Sequence, residues 1–225
     1  VDEMEDIARI SGMKDIERTS IFHALNHKAT ARQAAKDNNT QYEKLNLIVA
    51  HLGGGISVAC HHKGRVIDVN NALDGEGPMS PERSGSVPLG PLYKMCFSGK
   101  YTYNEIKQKH IGKGGIVSYL GTNDAKEIIV RVRTGDSYAK LIIDAMVYQI
   151  AKEIGACATV FKGNVDFIVL TGGLAFSDYV VNELKDRVNF IAPVLTYPSE
   201  HEMLALAQGV LRVLRKEEIA KEYTI

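Results

Sequence analysis

An excess of charge of either sign is absent from this chain: lysine plus arginine and aspartate plus glutamate each number 27 among 225 residues, so the formal net charge is zero. That excludes the broad basic field of a nucleic-acid-binding protein and any general attraction to an anionic membrane, and a bound anion must be met by local groups. Cysteine is scarce as well. Cys60, Cys96 and Cys157 are odd in number and lack CxxC spacing, which predicts reduced structural thiols in a cytoplasmic protein. No run approaches the roughly 18 uninterrupted apolar residues of a membrane span. The first residues, Val1-Asp2-Glu3-Met4-Glu5-Asp6, are acidic where a signal peptide is basic. No membrane, no nucleic acid and a cytoplasmic location are therefore expected.

Present instead is 45% hydrophobic content, ample for the core of one large domain or two small ones. The informative stretch is Leu47 to Asp68. An apolar run from Leu47 to Ala50 meets His51 and then Gly53, Gly54 and Gly55, and β-type residues resume at Ile56. Glycines at a strand end let backbone amides approach a bound anion, so a phosphate site is the first hypothesis. Ile56-Ser57-Val58-Ala59-Cys60 and Arg65-Val66-Ile67-Asp68-Val69 flank His61-His62-Lys63-Gly64, a hairpin signal. Strand, glycine loop and hairpin in that order differ from a P-loop or a Rossmann turn, whose glycines open directly into a helix. His51, contiguous with the glycines, is left open between a capped structural histidine and a part in the loop's function. His61 and His62, at the hairpin tip, read as solvated rather than metal-bound.

Helical spacing predicts a helix over 20–36, apolar at Ile21, Phe22, Leu25, Ala29 and Ala34. His23 and Asn26 on it are read as core or capping residues with a cleft-facing alternative. Residues 70–91 form a loop rich in Gly, Pro and Ser, too long for a passive connection. Arg83 within it is either a guanidinium that steadies a phosphoryl group or a surface arginine paired with Glu82 or Glu76. Helices are predicted over 102–110, 124–134 and 137–161, with Gly114-Gly115 as a turn. A buried strand over 166–170 delivers Thr171-Gly172-Gly173-Leu174 into a helix over 177–188, where a backbone free of side chains admits a flat ring or a ribose phosphate beyond the strand end. Val194-Leu195-Thr196 makes one more strand. In the last helix, over 199–215, Ser199 and Glu202 have capping-box spacing.

The run Ile48-Val49-Ala50-His51-Leu52-Gly53-Gly54-Gly55-Ile56-Ser57-Val58 with Gly64 resembles the second signature of the acetokinase family, the carboxylate kinases. Asn70 to Pro78, Met79-Ser80-Pro81-Glu82-Arg83-Ser84-Gly85, Ser20 to Asn26 and Leu170 to Ala175 extend the resemblance over nearly the whole chain, and it is strongest to the members acting on butyrate. It implies an α/β fold, the actin-like or ribonuclease H-like nucleotide-binding lobe of the acetate and sugar kinase, heat-shock ATPase and actin superfamily. Residues 1–44 would be the tail of a preceding N-terminal half with a cleft-bordering helix, and 45–225 the C-terminal lobe with a small helical insert near 101–134. Val1 follows no methionine and no glycine-rich phosphate loop precedes Gly53, so a C-terminal part lacking its N-terminal lobe is expected.

The resemblance further implies reversible transfer of the ATP γ-phosphoryl group to a short-chain carboxylate, giving an acyl phosphate and ADP. Arg83 and His51 would serve catalysis. Gly53, Gly54, Gly55, Ser57, Gly172, Gly173 and Leu174 would hold the adenine nucleotide, and Glu202, with Glu200 as second candidate, would hold Mg2+ through water. A homodimer or larger homo-oligomer is implied too. Where acetate kinases carry an aspartate three residues before the Phe-His pair this chain has Thr19, so that role is not transferred. Three alternatives remain: another carboxylate kinase, a nucleotide-binding fragment without turnover, and a sugar-kinase-like or actin-like ATPase lobe. Against the last, such lobes carry Asp where this chain has His51.

Overall fold

A computed structural model describes residues 2–198, 202–217 and 219–220. Its centre is one five-stranded sheet in the order β3-β2-β1-β4-β5. The strands are β1 (Asn46–Leu52), β2 (Ile56–His62), β3 (Arg65–Val69), β4 (Phe167–Thr171) and β5 (Val194–Tyr197). β1, β2 and β3 pair antiparallel, whereas β1–β4 and β4–β5 pair parallel. Lys63 and Gly64, at φ 46° and 89°, make the two-residue turn of the β2–β3 hairpin, the mirror-image turn that suits strand twist.

The helices are α1 (Asp6–Arg9), α2 (Ala24–Asp37), α3 (Leu89–Cys96), α4 (Tyr103–His110), α5 (Gly115–Leu120), α6 (Ala125–Arg133), α7 (Ser137–Val160), α8 (Asp178–Val188) and α9 (Glu202–Leu214). Local chemistry sets several starts. Thr102 and Glu105 form a reciprocal capping box on α4, and the carboxylates of Asp124 and Asp136 accept backbone N–H groups at the starts of α6 and α7. Among the described residues no helix is long and apolar enough to cross a membrane.

Strand alternation divides the core between two sheet faces. Ile48, Ala50 and Leu52 of β1 face α7, which buries Ile143, Met146, Val147, Ile150 and Ile154 on them. Leu47 and Val49 face the other side with Val169, under Ala31, Ala34 and Ala35 of α2. At about 1.5–3 kcal/mol for each large side chain removed from water, the α7 face is the stronger anchor.

Three expectations are corrected here. His61 is not at a solvated tip: β2 runs two residues further than the apolar pattern marks, and its alternation turns His61 under α2, where it is fully buried. α2 begins at Ala24, and Ile21 and Leu25 are about half exposed, because its buried stripe is Asn26, His27, Thr30, Ala31, Ala34 and Ala35. Gly114-Gly115 is more than a turn. α5 starts there and docks on the 70–88 loop through Ile116 N–H to Ser80 O and Val117 N–H to Pro81 O.

Candidate active site

Parallel pairing of β1 with β4 puts His51 opposite Thr171. Both strands therefore end at the same edge of the sheet, the position at which open α/β sheets take ligands. From β1 issues Gly53-Gly54-Gly55, closed by Gly53 N–H to Gly55 O at 3.2 Å. From β4 issues Gly172, followed by a single 3-10 turn over Gly173–Phe176 and then α8, capped by Ser177. Gly172 stands at φ 88° with its Cα so close to β1 that an added Cβ would lie 2.5 Å from Leu52 O. Glycine is required there twice over, by dihedral and by space.

A cleft of about 690 Å³ opens beside this edge, and Gly53, Gly54, Gly173 and Leu174 all line it. Its far wall is α6, with Lys126, Ile129, Val130 and Arg133, and its rim carries Glu82, Asn123, Asp124 and Asp178. Two motifs more than a hundred residues apart thus share one nucleotide-sized space. Lys126 and Arg133, unmarked in the sequence, belong to the same wall.

Arg83 lies on the other side of the glycine loop. Its guanidinium packs on Gly55, where an added Cβ would come 2.7 Å from Cζ, and it donates to the Ala72 carbonyl. The long loop that carries it is tied in place. Asn70 accepts from Val58 N–H at 2.7 Å and donates to the Ile56 carbonyl, and Ser80 Oγ donates to Gly54 O while accepting from Arg83 N–H. The insert clamps its outer side, with Gly112 N–H to Glu82 O at 2.8 Å and His110 Nδ1 2.6 Å from Ser84 Oγ. A surface ion pair is not the use made of Arg83. Glu76 pairs with Arg18 at 3.1 Å and Glu82 binds the Asn123 amide, and among the described residues no carboxylate pairs with Arg83.

Behind the glycines, under α2, lies a layer of imidazoles. His51 stacks on His23 with centroids 3.8 Å apart, and its Nδ1 is 2.9 Å from Asn26 Oδ1. An amide oxygen only accepts, so the His51 proton is on Nδ1 and Nε2 is an acceptor turned toward Gly53, whose added Cβ would lie 2.9 Å away. Ser57 is fully buried between His23 Nδ1 at 2.9 Å and His27 Nε2 at 2.8 Å, and is not among the residues lining the cleft. His23 and Asn26, expected as core or capping residues, belong to this layer, and so does His27, which was not among the candidate residues. The available signal was the stripe His23, Asn26, His27 and Thr30, polar residues at helical spacing.

Burial holds all of these rings neutral: it brings His51 and His61 to about 3 and His23 to about 4, with the Lys28 charge adding to the effect on His61 and the Arg83 charge to that on His23, and His27 lies well below its ordinary value. The ordinary value in an unfolded chain is about 6.5. Below it the unfolded state binds more protons than the folded one, so stability is fully present above about pH 6.5 and falls with pH, by up to about 1.4 kcal/mol per pH unit for each histidine. The denaturant midpoint is therefore expected to stay level from about pH 8 to 7 and to drop steeply between about pH 6 and 4. A His27→Gln variant should flatten that limb, and an equally steep limb would contradict the assignment.

Mg2+ takes oxygen ligands, retains several waters and needs only one or two carboxylates beside phosphate. Glu82, whose carboxylate would lie 3.5 Å from a Cβ on Gly54, fits that requirement inside the cleft. Glu202 opens α9, but its side chain, like Ser199 and Glu200, lies outside the described residues. Among the described residues no group of three or more His, Cys, Asp or Glu could hold a metal by itself.

A profile of the acetokinase family matches residues 13–193. The chain is 60% identical over 223 residues to butyrate kinase 1 of Clostridium acetobutylicum, covering 99% of this chain and 63% of that protein. Among solved structures it is similar to Porphyromonas gingivalis acetate kinase, with a TM-score of 0.84 and 23% identity over 94% of this chain and 61% of that one. It is also similar to a ROK family protein of Streptococcus pneumoniae, with a TM-score of 0.52 and 12% identity over 85% and 65%. The two structural likenesses show the expected α/β fold shared by acetate kinases and ROK proteins. The chain spans about three fifths of the length of the curated relative it matches.

Proposed function

The chain belongs to the acetokinase family, and we propose that it is the nucleotide-binding lobe of a cytoplasmic butyrate kinase that uses ATP with Mg2+. The reaction is attack of a butyrate carboxylate oxygen on the γ-phosphorus of ATP. The bond from that phosphorus to the β,γ-bridging oxygen breaks, ADP leaves, and butyryl phosphate forms. A carboxylate is already ionised at neutral pH, so no general base is needed. Catalysis rests on alignment and on charge stabilisation.

The observation that carries this reading is the shared cleft: Gly53-Gly54 and Gly173-Leu174 line one space, with Arg83 across the loop. Backbone amides of the first loop hold the phosphates, the second loop takes the adenosine, and Arg83 meets the charge spreading onto the transferred group. Of the stacked pair, His23 offers Nε2 as donor, and His51 braces it and the glycine loop. Glu82 and Glu202 would hold Mg2+ through water, and the bound ion would supply neutralisation of phosphate charge. The acid site is completed by an N-terminal lobe, and the enzyme assembles as a homodimer or larger oligomer. The exposed Leu89 and Tyr93 of α3, with Phe97 just past its end, suit such a contact.

Hydroxylamine trapping with Mg-ATP and acetate, propionate, butyrate or isobutyrate tests the proposal. With the N-terminal lobe supplied, butyrate is expected to give the most hydroxamate. The 225-residue chain alone is expected to bind nucleotide without turnover, since it spans three fifths of its relative's length. No hydroxamate from any acid with both lobes present would overturn the function, and ATP hydrolysis independent of acid would favour an ATPase.

A further inference from the structure

From the far end of the histidine layer a continuous buried chain of hydrogen-bonding groups leads to the site. Tyr42 Oη is 2.7 Å from His61 Nδ1, and His61 Nε2 is 3.3 Å from His27 Nδ1. His27 Nε2 is 2.8 Å from Ser57 Oγ, which is 2.9 Å from His23 Nδ1. Tyr42, His27, Ser57 and His61 are buried, and His27 and His61 are parallel within 7°. We propose that Tyr42 sets the direction of this chain and thereby fixes the proton of His23 on Nε2, which makes Tyr42 and His61 positioning residues of the site.

Donor and acceptor capacity decides the direction of the chain. A neutral imidazole has one N–H and one bare nitrogen, so each ring must pass on the direction it receives. If the phenol donates to His61 Nδ1, His61 donates from Nε2 to His27 Nδ1. His27 then donates from Nε2 to Ser57, and the serine hydroxyl donates to His23 Nδ1. His23 is left with Nε2–H, and among the described residues that nitrogen makes no hydrogen bond. In the reverse direction every bond could still form, but the Tyr42 proton would lose its acceptor, since His61 Nδ1 is its one hydrogen-bond partner among the described residues. A buried hydroxyl proton without an acceptor is costly, so the first direction prevails. Burial keeps the rings in the single-proton form on which the relay depends.

The consequence for chemistry rests on the proposed function. Phosphoryl oxygens only accept, so a ring beside them must present N–H; a bare Nε2 would meet them with a lone pair. His51, committed through Nδ1 to Asn26, presents no such proton. The direction set at Tyr42 therefore decides whether the stacked pair offers a donor at all.

The test is a long-range 1H–15N spectrum of the 225-residue chain, ring-labelled on histidine, near neutral pH. His61, His27 and His23 are expected as Nε2–H tautomers and His51 as Nδ1–H. In Tyr42→Phe, His61 and His23 are expected to become tautomer mixtures. With the N-terminal lobe supplied, that variant should lose kcat in proportion to the share of His23 that carries its proton on Nδ1, about twofold for an even mixture, with KM for nucleotide unchanged. A His23 Nδ1–H signal in the wild type overturns the inference, as does an unaltered pattern in Tyr42→Phe. Should that variant not fold, the wild-type spectrum decides alone. Absence of acyl phosphate formation by the wild type would sink the proposed reaction and leave the tautomers standing.

Discussion

Arg83→Ala is expected to lower the kcat of acyl phosphate formation by about 10²- to 10³-fold, the cost of removing a charge-stabilising donor from a phosphoryl or acyl transfer site, with little change in KM for nucleotide. In the proposed function the nucleotide would sit on the opposite side of the glycine loop, in the cleft that Gly53, Gly54, Gly173 and Leu174 line, and Arg83 does not line it. The fold should survive. The guanidinium leaves behind one unpaired carbonyl, Ala72 O, at a cost of about 1 kcal/mol. Gly55→Ala provides an independent route to the same end. Its added methyl would lie 2.7 Å from Arg83 Cζ, and the guanidinium, as the far end of a flexible side chain, would move first. Its activity should fall in the same direction while the arginine is still present. A loss below about tenfold for Arg83→Ala, measured with the N-terminal lobe supplied, would contradict the role given to it.

Gly172→Ala is expected to be among the most destabilising single substitutions in the chain. A residue with a side chain at φ 88° and ψ 177° costs about 1–3 kcal/mol in strain. The methyl would also sit 2.5 Å from Leu52 O and 2.8 Å from Leu52 N and C. Those are backbone atoms at the buried end of the central strand, so relief requires parting β1 from β4. A total of about 3 kcal/mol or more follows, read as a lowered denaturant midpoint. Gly155→Ala is the control. Nothing lies within 4 Å of its added methyl, and it is inside α7, so a gain of up to about 1 kcal/mol is expected. Equal midpoints for Gly172→Ala and the wild type would contradict the close approach of the two strand ends.

The parts of this architecture that were legible in the sequence are those with local causes. β1, its glycines, the hairpin and β4 announce themselves by apolar runs that end in residues suited to turns. α4, α6 and α7 are marked by their capping residues Thr102, Asp124 and Asp136. α3 was not legible, because it buries no residue and so imposes no pattern. The orientation of α2 was misjudged for the opposite reason: beneath it the sheet presents His51, Ser57 and His61, and the helix answers with Asn26, His27 and Thr30 in place of apolar residues. Of the candidate site, both glycine motifs and Arg83 stand out in the sequence. Their assembly in one place depends on parallel pairing of β1 with β4, which no local pattern encodes. The wall from α6, the clamp from His110 and the relay from Tyr42 likewise depend on contacts distant in sequence.

The most direct test of the central claim, that the two glycine motifs form a single nucleotide cleft, is hydrogen exchange of the 225-residue chain with and without saturating Mg-ADP. Simultaneous slowing of amides over 52–56 and over 172–178 is expected, with a smaller effect along the face of α6 that lines the cleft. Slowing at only one of the two loops, or at neither while nucleotide is bound, would contradict it.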